Sequence, residues 1–350
     1  IFTAPLRDVP LRRIRMPGST IELSPGYVEL FAAYHFICRS VSILAVGTVA
    51  FDSIETPFGT APRVLGGSAS YLTLAARYFC SDVRLVGVVG RDFPDDYVQR
   101  FRDSGVDLRG LEVDQSGDTF HWKGRYHYDL NERDTLDTQL NVLVDFKPTL
   151  PEEYRSSKIV CLGNLDPSVQ RHVLDQIDDP GYVLCDTMNY WIEHTPDSLR
   201  ETLKRVDCLV INDSEARELS DEPNLVKAAG IIRAMGPDTL IIKKGEHGAL
   251  LFNGDTVFSA PAYPLEAIED PTGAGDTFAG GLAGHLAQVE RYGSEDLRRG
   301  IIYGSAMASF AVERFGPEQL YHLSQDLIVE RARAFRELAA IPKLAPLQAA

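Results

Sequence analysis

The chain has 350 residues, 44% hydrophobic and 24% charged, the balance of a soluble globular protein with one large domain or two modest ones. A formal net charge of −15, with Lys and Arg scattered rather than arrayed in a stripe, argues against a nucleic-acid partner held through its phosphates. The five cysteines, Cys38, Cys80, Cys161, Cys185 and Cys208, lie far apart without CxxC spacing, which argues against structural zinc and a disulfide framework and points to a reducing cytoplasm.

Residues 1–40 read as an irregular N-terminal extension, with Arg7, Arg12, Arg13 and Arg15 among several prolines. Its apolar run, 27–38, is interrupted by Glu29 and falls short of the ~20 residues a bilayer span needs, so no membrane partner is expected. A start-site artefact, a targeting leader and a real arm all fit this stretch. Regular patterning begins at Val41 or Ser42, and 341–350 read as a tail.

From Ser42 onward, short β-branched apolar runs alternate with amphipathic stretches, the signature of an α/β domain with a mostly parallel central sheet. Strands are expected over 42–50, 83–89, 158–163, 181–186, 206–212 and 239–244. Helices are expected at about 68–79, 94–104, 167–178, 196–204, 213–220, 224–234, 276–289, 296–314 and 324–339. The stretch 114–146 breaks the pattern: Phe120, His121, Trp122, Arg125, Tyr126 and Tyr128 fall at strand spacing with no helix beside them. It reads, with 52–65, as a small β-sheet lid over the cleft at the C-terminal ends of the parallel strands.

Five segments carry chemistry. In Asp270-Pro271-Thr272-Gly273-Ala274-Gly275-Asp276-Thr277-Phe278-Ala279-Gly280-Gly281, two glycines let consecutive N–H groups converge on an anion at a helix start, and Asp276 stands beside it to accept a proton. A tight turn with an ordinary cap is the plainer alternative. Asp52 closes the apolar run Gly47–Phe51 with two acceptor oxygens for the hydroxyls of a polyol, or serves as a turn aspartate. Gly66 and Gly67 precede a helix and permit close backbone approach to a ligand, or break a loop. Asn212 and Glu215, three apart where a strand becomes a helix, can orient waters around magnesium or simply cap the helix. Finally, Ile241 to Leu250 forms a strand, a glycine turn and a second strand, putting Lys244, Gly245 and Gly248 near nucleotide phosphates or ribose; a plain hairpin explains it almost as well.

In order and spacing these segments resemble the PfkB or ribokinase-like carbohydrate kinases over about residues 42–340. The resemblance implies a three-layer α/β/α kinase domain over 41–340 with a β lid, and ATP-dependent phosphorylation of a sugar or nucleoside hydroxyl. It implies magnesium, and a monovalent cation such as potassium near the anion hole, with Asp270 and Thr272 as candidate contributors. It assigns Asp276 as base, Gly273, Ala274 and Gly275 as anion hole, and Asn212 with Glu215 as the magnesium-water shell. Thr272, Asn212, Lys244, Gly245, Gly248 and Gly275 fall to the nucleotide, and Asp52, Gly66, Gly67 and Tyr71 to the acceptor. Many sugar kinases of the family carry asparagine where Tyr71 stands, which loosens any transfer of ribose or fructose specificity. The ring-rich lid favours a ligand with a flat group or anchors its own face, and Arg125 meets a substrate phosphate or sits in solvent. A free sugar is the first acceptor expected, a nucleoside the second, and a catalytically silent ligand-binding relative the third reading. ADP and pyrophosphate remain open as donors, and the lid edge is a candidate homodimer surface.

Overall fold

The computed structural model describes residues 12–16, 19–23 and 41–341; the rest of the N-terminal extension and 342–350 of the tail lie outside the described residues. The chain divides into two compact units at Ser40/Val41. In the first, within the stretch read as irregular, strand β1 (Arg12–Met16) pairs antiparallel with β2 (Ser19–Leu23).

The second unit is built on a nine-stranded sheet. In chain order its strands, with those of a smaller sheet, are β3 (Ile43–Val46), β4 (Ala50–Thr56), β5 (Gly59–Gly66), β6 (Val83–Gly90), β7 (Val106–Asp114), β8 (His121–Tyr126), β9 (Arg133–Gln139), β10 (Ile159–Leu162), β11 (Tyr182–Cys185), β12 (Cys208–Asn212), β13 (Thr239–Lys243), β14 (Ala249–Asn253) and β15 (Thr256–Ala260). The order in the large sheet is β15-β14-β13-β12-β11-β10-β3-β6-β7, parallel from β13 to β7 and antiparallel at β14 and β15.

Strand alternation assigns the layers. Leu44 and Val46, Val160 and Leu162, Leu209 and Ile211 face one core; Ile43 and Ala45, Ile159 and Cys161, Cys208 and Val210 face the other. The first core is covered by the helices Pro167–Leu174, Asn189–His194, Pro196–Leu203, Asp213–Ser220 and Leu225–Arg233 through residues such as Val173, Leu199, Ala216 and Ile232. The second is covered by Ser68–Ala76, Ala274–Leu286 and Ser294–Ala311 through Leu72, Leu282 and Ile301. Both faces of a parallel sheet are thereby dry, which is why its strands read as continuous apolar runs.

The smaller sheet has the order β5-β4-β8-β9. The run expected as one strand over 42–50 is in fact broken after Val46: β4 starts at Ala50 and belongs to the smaller sheet, so Asp52 lies inside a strand and not at a strand end. β7, missed in the sequence, is the edge strand of the large sheet; its burial is intermittent, so it lacks the apolar run that marks its neighbours.

The helix Ala274–Leu286 lies between Ser68–Ala76 and Ser294–Ala311, and its glycines allow the close approach. A Cβ on Gly280 would sit 2.3 Å from the Leu72 carbonyl oxygen, whereas one on Gly230, exposed in Leu225–Arg233, would meet nothing within 4 Å. Gly280→Ala should therefore cost about 1–3 kcal/mol through overpacking despite its better helix propensity. Gly230→Ala should stabilise by about 0.5–1 kcal/mol. Urea unfolding of the two variants checks the pair, and equal effects would contradict the packing.

Candidate active site

The alternation that builds the layers also delivers the site. Asp186, Asn212 and Lys243 stand at the C-terminal ends of neighbouring parallel strands, in phase with Leu184, Val210 and Ile241, so all three belong to the face covered by Ala274–Leu286. That helix begins at Ala274, two residues before the expected start, with Gly273 at φ +73° as its N-cap. The left-handed conformation suits glycine, and the Tyr71 ring occupies the space a side chain at 273 would need. Asp276 thus falls in the first turn. The Gly275 N–H has no hydrogen-bond acceptor among the described residues, while Ala274 N–H reaches Pro271 O at 3.3 Å. A Cβ on Gly275 would lie 2.7 Å from Lys243 Nζ, so the ammonium is laid directly against the helix N-terminus. A free N–H, the positive end of a helix and an ammonium together make an anion site.

Carboxylates surround that ammonium. Lys243 Nζ lies 3.5 Å from Asp186 Oδ2, with side-chain exposures of 19% and 14%. Burial pushes the Lys243 ammonium down, but Asp186, Glu215 and Asp276 outweigh it and hold it above its usual value. The Asp276 carboxyl is raised by burial and by Asp186, against the pull of Lys243 and Arg133. Glu215, 5% exposed, is raised by the same causes in the same order. Arg133, exposed on β9, has no ion-pair partner among the described residues.

Asn212 and Glu215 form a reciprocal capping box: Glu215 N–H donates to Asn212 Oδ1 and Asn212 N–H to Glu215 Oε2, each at 2.8 Å. Glu215 Oε1 is left over. Three carboxylates act on one ammonium and leave excess negative charge; among the described residues no three acidic, histidine or cysteine side chains are grouped so as to hold a metal ion directly, so a divalent cation would be held here only through water.

Next to the anion site lies an acidic floor. Asp52 is 5% exposed and lies directly over Gly66. Burial, reinforced by Asp270 and Asp276, pushes its carboxyl up to about 8. Gly67, at φ +92°, is the N-cap of Ser68–Ala76 and packs on the Thr48 carbonyl. Asp270, 1% exposed, accepts from Thr272 N–H at 2.8 Å and Gly316 N–H at 3.0 Å; burial raises its carboxyl. The Tyr71 hydroxyl, buried beside Asp270, Asp52, Tyr126 and Asp276, has no hydrogen-bond partner among the described residues. Tyr126, from β8 of the smaller sheet, accepts from Thr272 Oγ1 at 3.1 Å and so ties that sheet to the loop before the anion site.

The structure therefore gathers Asp52, Gly66, Gly67, Tyr71, Thr272, Gly273, Ala274, Gly275 and Asp276 with Asn212 and Glu215. It does not gather Arg125, which is exposed and paired with Glu55 at 2.7 Å across β4 and β8. Nor does it bring Lys244 to the Asp276 cluster: Lys244 lies past the end of β13, its N–H donates to Gly248 O at 2.7 Å, and Gly245 packs against Asn131 in the hairpin between β8 and β9. Sequence reasoning missed Lys243, Asp186 and Arg133. The phase of Lys243 with Ile241, and of Asp186 with Tyr182 and Leu184, was available as a signal.

Residues 58–321 match the sequence profile of the pfkB family carbohydrate kinases. The chain is 30% identical to the cytidine kinase of Thermococcus kodakarensis over 271 residues, 74% of this chain and 95% of that protein. In structure it resembles the Burkholderia thailandensis nucleoside kinase in complex with inosine, with a TM-score of 0.69 at 22% identity, covering 85% of this chain and 98% of that one. It also resembles Arabidopsis thaliana ribokinase complexed with ribose and ATP, with a TM-score of 0.68 at 17% identity, covering 84% and 99%.

The floor has a measurable consequence for stability. Because the Asp52 carboxyl rises from 3.8 to about 8 on folding, its contribution is fullest below the lower value and is lost as pH rises through the upper one. Asp52→Asn removes that loss. Its melting temperature relative to the wild type should climb by roughly 5 °C between pH 5 and pH 8.5. A difference that stays flat in calorimetry across that range would mean that burial does not raise the Asp52 carboxyl.

Proposed function

This chain belongs to the pfkB family of carbohydrate kinases, phosphotransferases with an alcohol group as acceptor, and from that premise we propose that it transfers the γ-phosphoryl group of ATP to a hydroxyl of an uncharged nucleoside. The observation that carries this reading is the meeting of Asp276, the free Gly275 N–H and the Lys243 ammonium at one helix N-terminus.

In this reading Asp52 and the backbone at Gly66 and Gly67 hold the acceptor's hydroxyls, and Tyr71 offers its unpartnered hydroxyl and ring. Asp276 takes the proton of the attacking hydroxyl. The oxygen bonds to the γ-phosphorus as the bridge to the β-phosphate breaks, and ADP leaves. The N–H groups at 273–276 face the charge that develops on the equatorial oxygens. Asn212 and Glu215 would hold magnesium through water, and the ion would supply positive charge against the donor phosphates. Potassium is proposed beside the 270–272 loop: no basic side chain offsets the buried Asp270, whose two oxygens already shape that loop. Lys244, Gly245, Gly248 and Thr272 remain the proposed surroundings of the nucleotide. The smaller sheet acts as the lid, excluding water that would compete as acceptor, with Tyr126 holding it at Thr272. All seven residues of its edge strand β9 are exposed, which fits pairing with a second copy of the chain.

An acceptor that already carries a phosphate fits poorly. Asp52, Asp270 and Asp276 line the floor, and Arg125, the cation expected to meet such a phosphate, is engaged with Glu55 on the surface. A free sugar is the second reading, supported by the likeness to a ribokinase that binds ribose. Nucleosides come first because the cytidine kinase shares 30% identity and because Tyr71 supplies a ring.

ADP release with MgATP across nucleosides, free sugars and sugar phosphates tests the proposal. A signal with nucleosides and none with sugar phosphates is expected, and Asp276→Asn should lower kcat by at least ~100-fold with little change in ATP affinity. Full turnover in that variant would remove Asp276 from its role.

A further inference from the structure

Lys243 reaches the start of the helix Ala274–Leu286 with most of its hydrogen-bonding capacity unused. Its ammonium has three N–H donors, yet the contact it makes is a single long one, 3.5 Å to Asp186 Oδ2. An ion pair built for stability closes to about 2.7–2.9 Å, as Arg331 does with Glu313 at 2.7 Å. The open donors of Lys243 lie where Gly275 lacks a side chain, beside that residue's unpaired N–H. Donor capacity from two independent elements, strand β13 and the helix Ala274–Leu286, is thus left unused at one point, directly beside Asp276.

We propose that Lys243 is a catalytic residue of the transfer, its ammonium contacting the phosphoryl group as that group passes over Gly275. The proposal rests on the kinase reading above. Lys243 neither gives nor takes a proton: the acceptor's proton goes to Asp276, the new O–P bond forms as the β,γ-bridging bond breaks, and ADP carries away the electron pair. The ammonium offsets the charge that gathers on the equatorial oxygens and keeps the moving group from being repelled by the carboxylates around it. Those carboxylates are Asp186 at the end of β11, Glu215 on the helix Asp213–Ser220 and Asp276 on the helix Ala274–Leu286, with Arg133 of β9 as the other cation acting on the last two. A lysine is suited to this task because a flexible point charge can follow the group as it moves.

The competing role is that of a counter-ion that merely keeps Asp186 company. Lys243→Met, Asp186→Asn and the double variant, assayed together with the wild type on the acceptor panel, separate the two. Lys243→Met should lose about 100-fold or more in kcat, with the acceptor KM changed by less than about 3-fold. The double variant removes one charge of each sign, so it keeps the site's balance and folds even where the single variant does not. Under the proposal it stays about 100-fold below Asp186→Asn alone; recovery to the level of Asp186→Asn would show a counter-ion only and overturn the proposal. A wild type inactive toward every acceptor would overturn the kinase reading and this proposal with it, whereas an active wild type with an unimpaired Lys243→Met would sink this proposal alone.

Discussion

Three carboxylates, those of Asp186, Glu215 and Asp276, converge on the ammonium of Lys243, and the surrounding structure is arranged around that imbalance of charge. Burying charge is costly unless it is offset, and here it is offset only in part. What remains is a cleft of excess negative charge set against the positive end of a helix. The magnesium nucleotide proposed above would bring both signs at once.

The fold supplies the alignment. Five parallel strands from β3 to β13 end on one edge, and their two-residue period places Asp186, Asn212 and Lys243 on one face. The helix Ala274–Leu286 is pressed onto that face by glycines that bring it close to its neighbours, and its first turn comes down on the strand ends. The smaller sheet reaches the same place from the other direction. Tyr126 meets Thr272, and Asn131 meets the Gly245–His247 turn, so this sheet touches both the anion loop and the turn proposed to border the nucleotide. One element in contact with both sides could, as the lid proposed above, make closure depend on both ligands.

The floor shows a selection by charge. Asp270 and Asp276 add to burial in raising the proton affinity of Asp52, and Tyr71 and Tyr126 contribute hydroxyls rather than cations. Such a surface receives hydroxyl groups well and anions badly. Tyr71 also packs its ring where Gly273 turns, so the residue that departs from the sugar-kinase pattern is part of the geometry of the anion loop as well as of the floor.

Much of this was legible in the chain. The run Asp270–Gly281 announces an anion-binding loop before a helix because only glycine takes that turn, and the Asn212–Glu215 spacing announces a capped helix because the box is a local interaction. The apolar strands of the buried sheet were visible for the same reason: their pattern is set by burial on both faces. β7 was not visible, since it lies at the sheet edge with intermittent burial, and neither was the break between Val46 and Ala50, since both sides of it are equally buried. The choice between Lys243 and Lys244 turned on where β13 ends and which of its faces a helix covers, and the fate of Arg125 turned on Glu55 being its neighbour on an adjoining strand. The sequence by itself determined the local turns, the periodicities and the family likeness, because each is carried by residues close together in the chain. Only the tertiary structure decided which charges share a cavity, because that depends on layers formed by segments far apart in sequence and on how much water their packing excludes.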